Sequence, residues 1–253
     1  MTYATDMRDP FISLPMYARP ELSAAHDVFW QHIAAALGAY GIQAPPTLLD
    51  GGGLAFWQTP NLLFSQTCGM PYRRHLQGHV QIIATPDYGV PGCPPGYYRS
   101  VWIVRADDPR RDVTEYLQGC FAYNETGSQS GFYAAQTYLG RRQWFAHTLH
   151  TGAHRASARA VAQGRADIAC LDAVTWALMQ RYDPFTAQLR ALTHTPPTPG
   201  LPYITGSQYN VHSLRKALQM ALTTCPDDVL QTLMIKGIAH IPAQHYLDVD
   251  PMP

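Results

Sequence analysis

The chain is short of charge. Only 14% of its 253 residues are Asp, Glu, Lys or Arg, and 18 basic residues stand against 18 acidic ones. No basic excess is left to meet a nucleic-acid backbone, and no Lys/Arg run to meet an anionic membrane surface. Cysteine is sparse and scattered: the five, Cys68, Cys93, Cys120, Cys170 and Cys225, show no C-x-x-C spacing. That argues against a disulfide framework or a cysteine-rich metal site and leaves buried free thiols as the expectation. No stretch reaches the roughly 18 apolar residues that span a bilayer, so no membrane insertion is expected. Met1 to Met7 has neither the basic nor the apolar region of a secretory signal. P-loop, dinucleotide fingerprint and H-E-x-x-H are all missing. Gly127-Ser128-Gln129-Ser130-Gly131 superficially suggests the hydrolase elbow G-x-S-x-G, but Gln129 occupies the nucleophile position. No cofactor is implied.

What is present is the composition of a globular protein, 46% hydrophobic, long enough for one large domain or two lobes. Short β-like runs alternate with helical ones. Strands are expected at Phe11 to Tyr17, Leu62 to Cys68, Val80 to Thr85, Tyr98 to Arg105, Cys120 to Asn124, Phe145 to Leu149 and Asp167 to Leu171. Helices are expected at Glu21 to Tyr40, Val113 to Leu117, Ser130 to Leu139, Arg155 to Gln163, Ala173 to Gln180, Ser213 to Leu222 and Asp227 to Met234. This alternation predicts an α/β fold with largely parallel sheets. Two turn-rich segments, Asp87 to Gly96 and Thr195 to Pro202, read as connectors. They bracket a middle section with βαβ units of its own. The simplest organisation is two lobes, with 103–193 inserted between 1–102 and 194–253.

One segment suggests chemistry. Ser128, Gln129 and Ser130 fall where a helix begins, between the run Gly119 to Tyr123 and the helical run from Phe132. The first N–H groups of a helix lack internal partners and carry the positive end of its dipole, so hydroxyls beside them make an anion site. A plain N-cap would need only one serine. His147, His150 and His154 could be read as a metal cluster, but their spacings straddle a strand and a loop.

Several phrases in order carry a wider likeness: Ser65-Gln66-Thr67-Cys68-Gly69-Met70-Pro71-Tyr72, then Tyr98-Arg99-Ser100, then Asn124 with Ser128-Gln129-Ser130-Gly131. Thr151-Gly152-Ala153-His154-Arg155-Ala156-Ser157, Gly164 to Asp172 and Thr198-Pro199-Gly200-Leu201-Pro202-Tyr203 follow. From about Ile12 to about Leu222 the chain resembles the phosphate/phosphite/phosphonate-binding proteins of ABC transporters, of the type 2 periplasmic binding protein fold. The resemblance implies two α/β lobes with mixed sheets flanked by helices and a ligand cleft between them that closes by a hinge motion. It implies a monomer that captures a small oxyanion for an ABC transporter permease and performs no catalysis. The family is periplasmic, whereas the missing signal favours a cytoplasmic chain unless a leader was removed. A cytoplasmic sensor and an enzyme like those of thiamine-pyrimidine synthesis are the alternatives on the same fold.

The resemblance also implies roles for residues. The phosphonate or phosphate group would lie on Ser128, Gln129 and Ser130, with Gly131 allowing close approach; Gln129 stands where the family often has a small residue. Asn124 precedes this turn. His154 matches a family histidine that donates to the anion. Asp172, at a strand end, matches a residue that recognises a cationic amine, although a helix cap explains it equally well. Tyr17 would form an aromatic wall, and Ser65, Gln66, Thr67, Tyr72 and Tyr98 would complete the site.

Overall fold

The computed structural model describes residues 10–140 and 143–249; Met1 to Met7, read above for a targeting signal, lie outside the described residues. In chain order the strands are β1 (Phe11–Ser13), β2 (Leu62–Gln66), β3 (Val80–Asp87), β4 (Tyr97–Tyr98), β5 (Ser100–Arg105) and β6 (Cys120–Tyr123). They continue with β7 (His147–His150), β8 (Ile168–Asp172), β9 (Leu189–His194), β10 (Thr198–Pro199), β11 (Tyr203–Gly206) and β12 (Gly237–Ala239). The chain divides into two compact units, one running to Gly89 and resuming at Pro199–Leu247, the other holding Val90–Thr198 and the described residues after Leu247.

The first unit has a five-stranded sheet in the order β1-β2-β11-β3-β12. β1 and β2 are parallel, whereas β11 is antiparallel to both β2 and β3. This sheet is mixed, not largely parallel as the alternation predicts, because strand direction depends on connections that local hydrophobic pattern does not encode. The helix Ser23–Gly38 buries Phe29, Trp30, Ile33, Ala36 and Leu37, the i, i+1, i+4, i+7, i+8 stripe of an amphipathic helix. It begins after a 3-10 turn at Pro20–Leu22 and so is shorter than the expected Glu21 to Tyr40. It packs on the helix Val211–Thr224, whose start is capped by Asn210 Oδ1, which accepts from the His212 and Ser213 N–H groups. β1 stops at Ser13, four residues short of Tyr17, which has a left-handed φ of 61° and cannot continue a strand.

The second unit has a sheet in the order β7-β6-β8-β5-β9. Its strands show the period-two alternation of a sheet covered on both faces. Val101, Ile103, Ala122, Ala169 and Leu171 pack against Ala158, Val161, Trp176 and Met179. Trp102, Val104, Phe121, Ile168 and Cys170 pack the other way, against Val113, Tyr116, Ala135 and Phe145. Just before β8, Asp167 ties the sheet together: its carboxylate accepts the Cys120 N–H at 2.8 Å and pairs with Arg110 at 3.1 Å.

Candidate functional site

In the second unit β6 is parallel to both β7 and β8, while β5 is antiparallel to β8 and β9. The carboxyl ends of β6, β7, β8 and β9 therefore share one edge, where β5 begins. Such an edge is where ligands of open α/β sheets bind. Ser128 to Gly131 follow β6, His154 follows β7, and Asp172 ends β8.

The helical run after β6 opens as a π-turn, Gln129–Tyr133, and becomes α-helical at Ala134–Leu139. Ser128 is its N-cap: Oγ accepts the Gly131 N–H at 3.0 Å. That hydroxyl keeps its own proton for donation elsewhere. Ser128, Gln129 and Ser130 are all buried. Ser130 Oγ lies 3.1 Å from His154 Nε2. The space over Gly131 is filled: a Cβ there would fall on Asn124 Oδ1 and 2.9 Å from His154 Cε1. Glycine at 131 thus lets the Asn124 and His154 side chains close over the turn, a different use of its missing side chain from the close ligand approach expected of it.

The turn that delivers His154 is pinned to the end of β6. Thr151 N–H donates to Tyr123 O at 2.9 Å and Gly152 N–H to Asn124 O at 3.0 Å. Gly152 has φ +81°, a conformation that favours glycine. His154 then starts the helix His154–Ala162, which has no side-chain cap because Ala153 occupies that position. Burial holds the His154 imidazole neutral, its pKa lowered to about 4. Its Nδ1 is buried without a hydrogen-bond partner, and so is Asn124 Oδ1. Buried polar atoms are normally paired, so two such atoms beside one helix start are unusual; of the two, only the His154 nitrogen can donate, since an amide oxygen accepts. Asp172 caps the helix Ala173–Tyr182, Oδ1 accepting the Thr175 N–H at 2.9 Å. Tyr98 is buried in β4. His147 and His150 lie in β7, and among the described residues no group of three His, Cys, Asp or Glu is placed to hold a metal.

The first unit repeats the arrangement. β2 and β3 are both antiparallel to β11, so β1, β2 and β3 run the same way and end at one edge. Tyr17 follows β1, Gln66 ends β2 and Thr67 comes next. Gln66 Nε2 donates to Leu201 O at 3.0 Å and to the Tyr88 hydroxyl at 3.2 Å, while the Tyr17 ring meets the Tyr88 ring edge-on at 5.0 Å. Thr67 N–H donates to Pro202 O at 3.1 Å. Ser65 is fully buried, 3.0 Å from Ser13 Oγ and accepting from Trp57 Nε1 at 3.1 Å. Tyr72 is buried edge-on against Tyr246, and burial raises its pKa. Tyr88, which links Tyr17 to Gln66, is not among the residues singled out from sequence. Its place directly after β3 is the signal, hidden because Asp87 to Gly96 reads as a connector.

Three comparisons bear on identity. Residues 64–246 match the family model described as ABC transporter, phosphonate, periplasmic substrate-binding protein. No curated protein matches the chain. Among solved structures, PhnD1 from Prochlorococcus marinus in complex with methylphosphonate shares 12% identity and a TM-score of 0.76, with 96% of each chain covered. A binding-protein component of an ABC phosphonate transporter from Pseudomonas aeruginosa shares 16% identity and a TM-score of 0.69, covering 91% of this chain and 81% of that one. A Xanthomonas citri protein bound to ATP shares 14% identity and a TM-score of 0.70, with 94% of each chain covered. At such identities these likenesses show the fold, a mixed α/β periplasmic-binding-protein fold. The family model matches most of the length, and the chain belongs to the phosphonate-binding family of ABC-transporter substrate-binding proteins.

Proposed function

We propose that this chain binds a small oxyanion, a phosphonate or its relative phosphate, without transforming it, as a monomer serving an ABC transporter permease. The observation that carries this reading is the Ser130–His154 pair at a capped helix start, with His154 Nδ1 buried and unpartnered beside it. A neutral imidazole has one donor and one acceptor nitrogen. If Nε2 accepts from Ser130, Nδ1–H is a donor without a protein acceptor, and an oxyanion oxygen supplies one. The Ser128 hydroxyl, its lone pair engaged by Gly131 N–H, donates to a second oxygen, and the helix dipole adds roughly 0.3–2 kcal/mol. Asn124, Gln129 and Gly131 shape the cradle.

Tyr98 and Asp172, in the same unit as the cradle, are proposed to receive the rest of the ligand; in the first unit Tyr17, Gln66 and Thr67 are proposed as ligand residues, with Ser65 and Tyr72 holding their neighbours in place. Tyrosine suits this role, packing on carbon while its hydroxyl meets a polar end. A solute carrier also explains why the G-x-S-x-G-like phrase has no nucleophile at Gln129.

Isothermal titration with methylphosphonate, phosphate and 2-aminoethylphosphonate tests the proposal, with phosphorus NMR to follow the ligand. Saturable binding of at least one, recovered unchanged, is expected. Ser128→Ala combined with Ser130→Ala should weaken it at least about tenfold, since a hydrogen bond to a charged group contributes ~1.5–3 kcal/mol. Failure of all three ligands to bind, or turnover of any, overturns the assignment.

A further inference from the structure

Arg99 is a cation at the edge where β5 begins. None of the ion pairs among the described residues includes it, and its Nε is buried with no hydrogen-bond partner. Removing a guanidinium nitrogen from water with no acceptor is costly. The residue lies between β4 and β5, and its carbonyl accepts the Ala173 N–H at 3.1 Å. Its guanidinium packs over Gly92, where a Cβ would meet Nη1 at 3.0 Å. His194, the last residue of β9, is paired with Val101 of β5, two residues on from Arg99; burial, and then the charge of Arg99, lower the His194 pKa.

A guanidinium and an imidazole whose ring N–H can donate therefore lie at the edge that also holds Ser130 and His154. In the order β7-β6-β8-β5-β9, β5 is two strands from β6, roughly 10 Å along that edge at ~4.8 Å per strand. The acid between them is Asp172 on β8, whose Oδ1 caps its own helix.

Building on the oxyanion reading above, we propose that Arg99, with His194 beside it, is a second anion subsite. It receives the carboxylate of a phosphonocarboxylate whose phosphonate rests on Ser128, Ser130 and His154. A guanidinium suits this task because its fork of donors matches a carboxylate's two oxygens. The subsite gives the protein a preference among phosphonates for those with an acidic tail.

The experiment compares methylphosphonate with phosphonoacetate, 3-phosphonopropionate and 4-phosphonobutyrate by titration calorimetry on the full chain. At least one phosphonocarboxylate should bind about tenfold or more tighter than methylphosphonate, the ordinary size of a charge-assisted pair. In Arg99→Gln that ratio should fall close to one, and Arg99→Lys should restore part of it. NMR titration of His194 in the unaltered protein gives a test that does not depend on the variants folding. Its pKa should rise when the preferred phosphonocarboxylate binds and stay unmoved with methylphosphonate. A ratio near one in the unaltered protein, a ratio that survives Arg99→Gln, or a His194 pKa blind to the carboxylate overturns the subsite. Methylphosphonate binding without the preference sinks the subsite alone, whereas no binding of any probe sinks the oxyanion reading with it.

Discussion

Gly131→Ala is the sharpest perturbation of the cradle, because it acts by volume alone. Gly131 is not among the glycines with positive φ, so alanine suits its backbone, and only the new methyl matters. That methyl would fall on Asn124 Oδ1 and 2.9 Å from His154 Cε1, so both side chains have to move. Overpacking a filled interior typically costs ~1–3 kcal/mol, and the shift of His154 also breaks its 3.1 Å contact with Ser130. Urea unfolding should therefore show a loss of about 1–3 kcal/mol, and methylphosphonate affinity should drop by an order of magnitude or more. Asn124→Gly opens the space the methyl needs. In the double variant the two effects should be strongly non-additive, with a coupling of ~0.5–3 kcal/mol, as for residues in direct contact. Calorimetry and unfolding of both single variants and the double close the cycle. Additive effects, or a Gly131→Ala protein that binds and unfolds like the parent, would refute the packing of Asn124 and His154 on this glycine.

Two further outcomes follow from the site. The His154 pKa falls from 6.5 to about 4 on folding, so the unfolded chain binds the extra proton between these values and stability rises with pH. The contribution is complete above about pH 6.5 and declines as pH falls toward 4, by at most about 3 kcal/mol; His154→Gln should flatten the unfolding free energy across that window, and an unchanged pH profile would contradict the burial of the ring. Ser65→Ala removes the hydroxyl shared by Ser13 and Trp57 Nε1 and strands buried groups, so it should lower unfolding free energy by ~1–3 kcal/mol. A Ser65→Ala protein of full stability with lost binding would instead make Ser65 a direct ligand contact.

Much of this architecture is legible in the chain because hydrophobic period and cap chemistry are local. The stripe from Phe29 to Leu37 announces its helix, and the Ser128 to Ser130 phrase lies at the helix start where it is expected. What stays hidden is long-range. Ser65 reads as a ligand residue, yet its hydroxyl meets Ser13, which only the pairing of β1 with β2 brings near. The antiparallel direction of β5 puts Arg99 at the edge where β6, β7 and β8 end, and nothing in Tyr98 to Arg105 encodes a direction. That run reads as one strand, whereas the structure breaks it at Arg99, between Tyr98 and Ser100. The π-turn at Gln129–Tyr133 is likewise invisible, since its residues have the same apolar spacing as an ordinary helix start.

The cap at Ser128 has a kinetic consequence. With Gly131 N–H already held by Ser128 Oγ and the His154 turn already tied to β6, the turn proposed to hold the anion takes its shape during folding. On that proposal little ordering cost remains for an anion to meet. Association should accordingly proceed at rates set by diffusion and orientation, and ligands that differ in their fit to the cradle should be told apart by how long they stay.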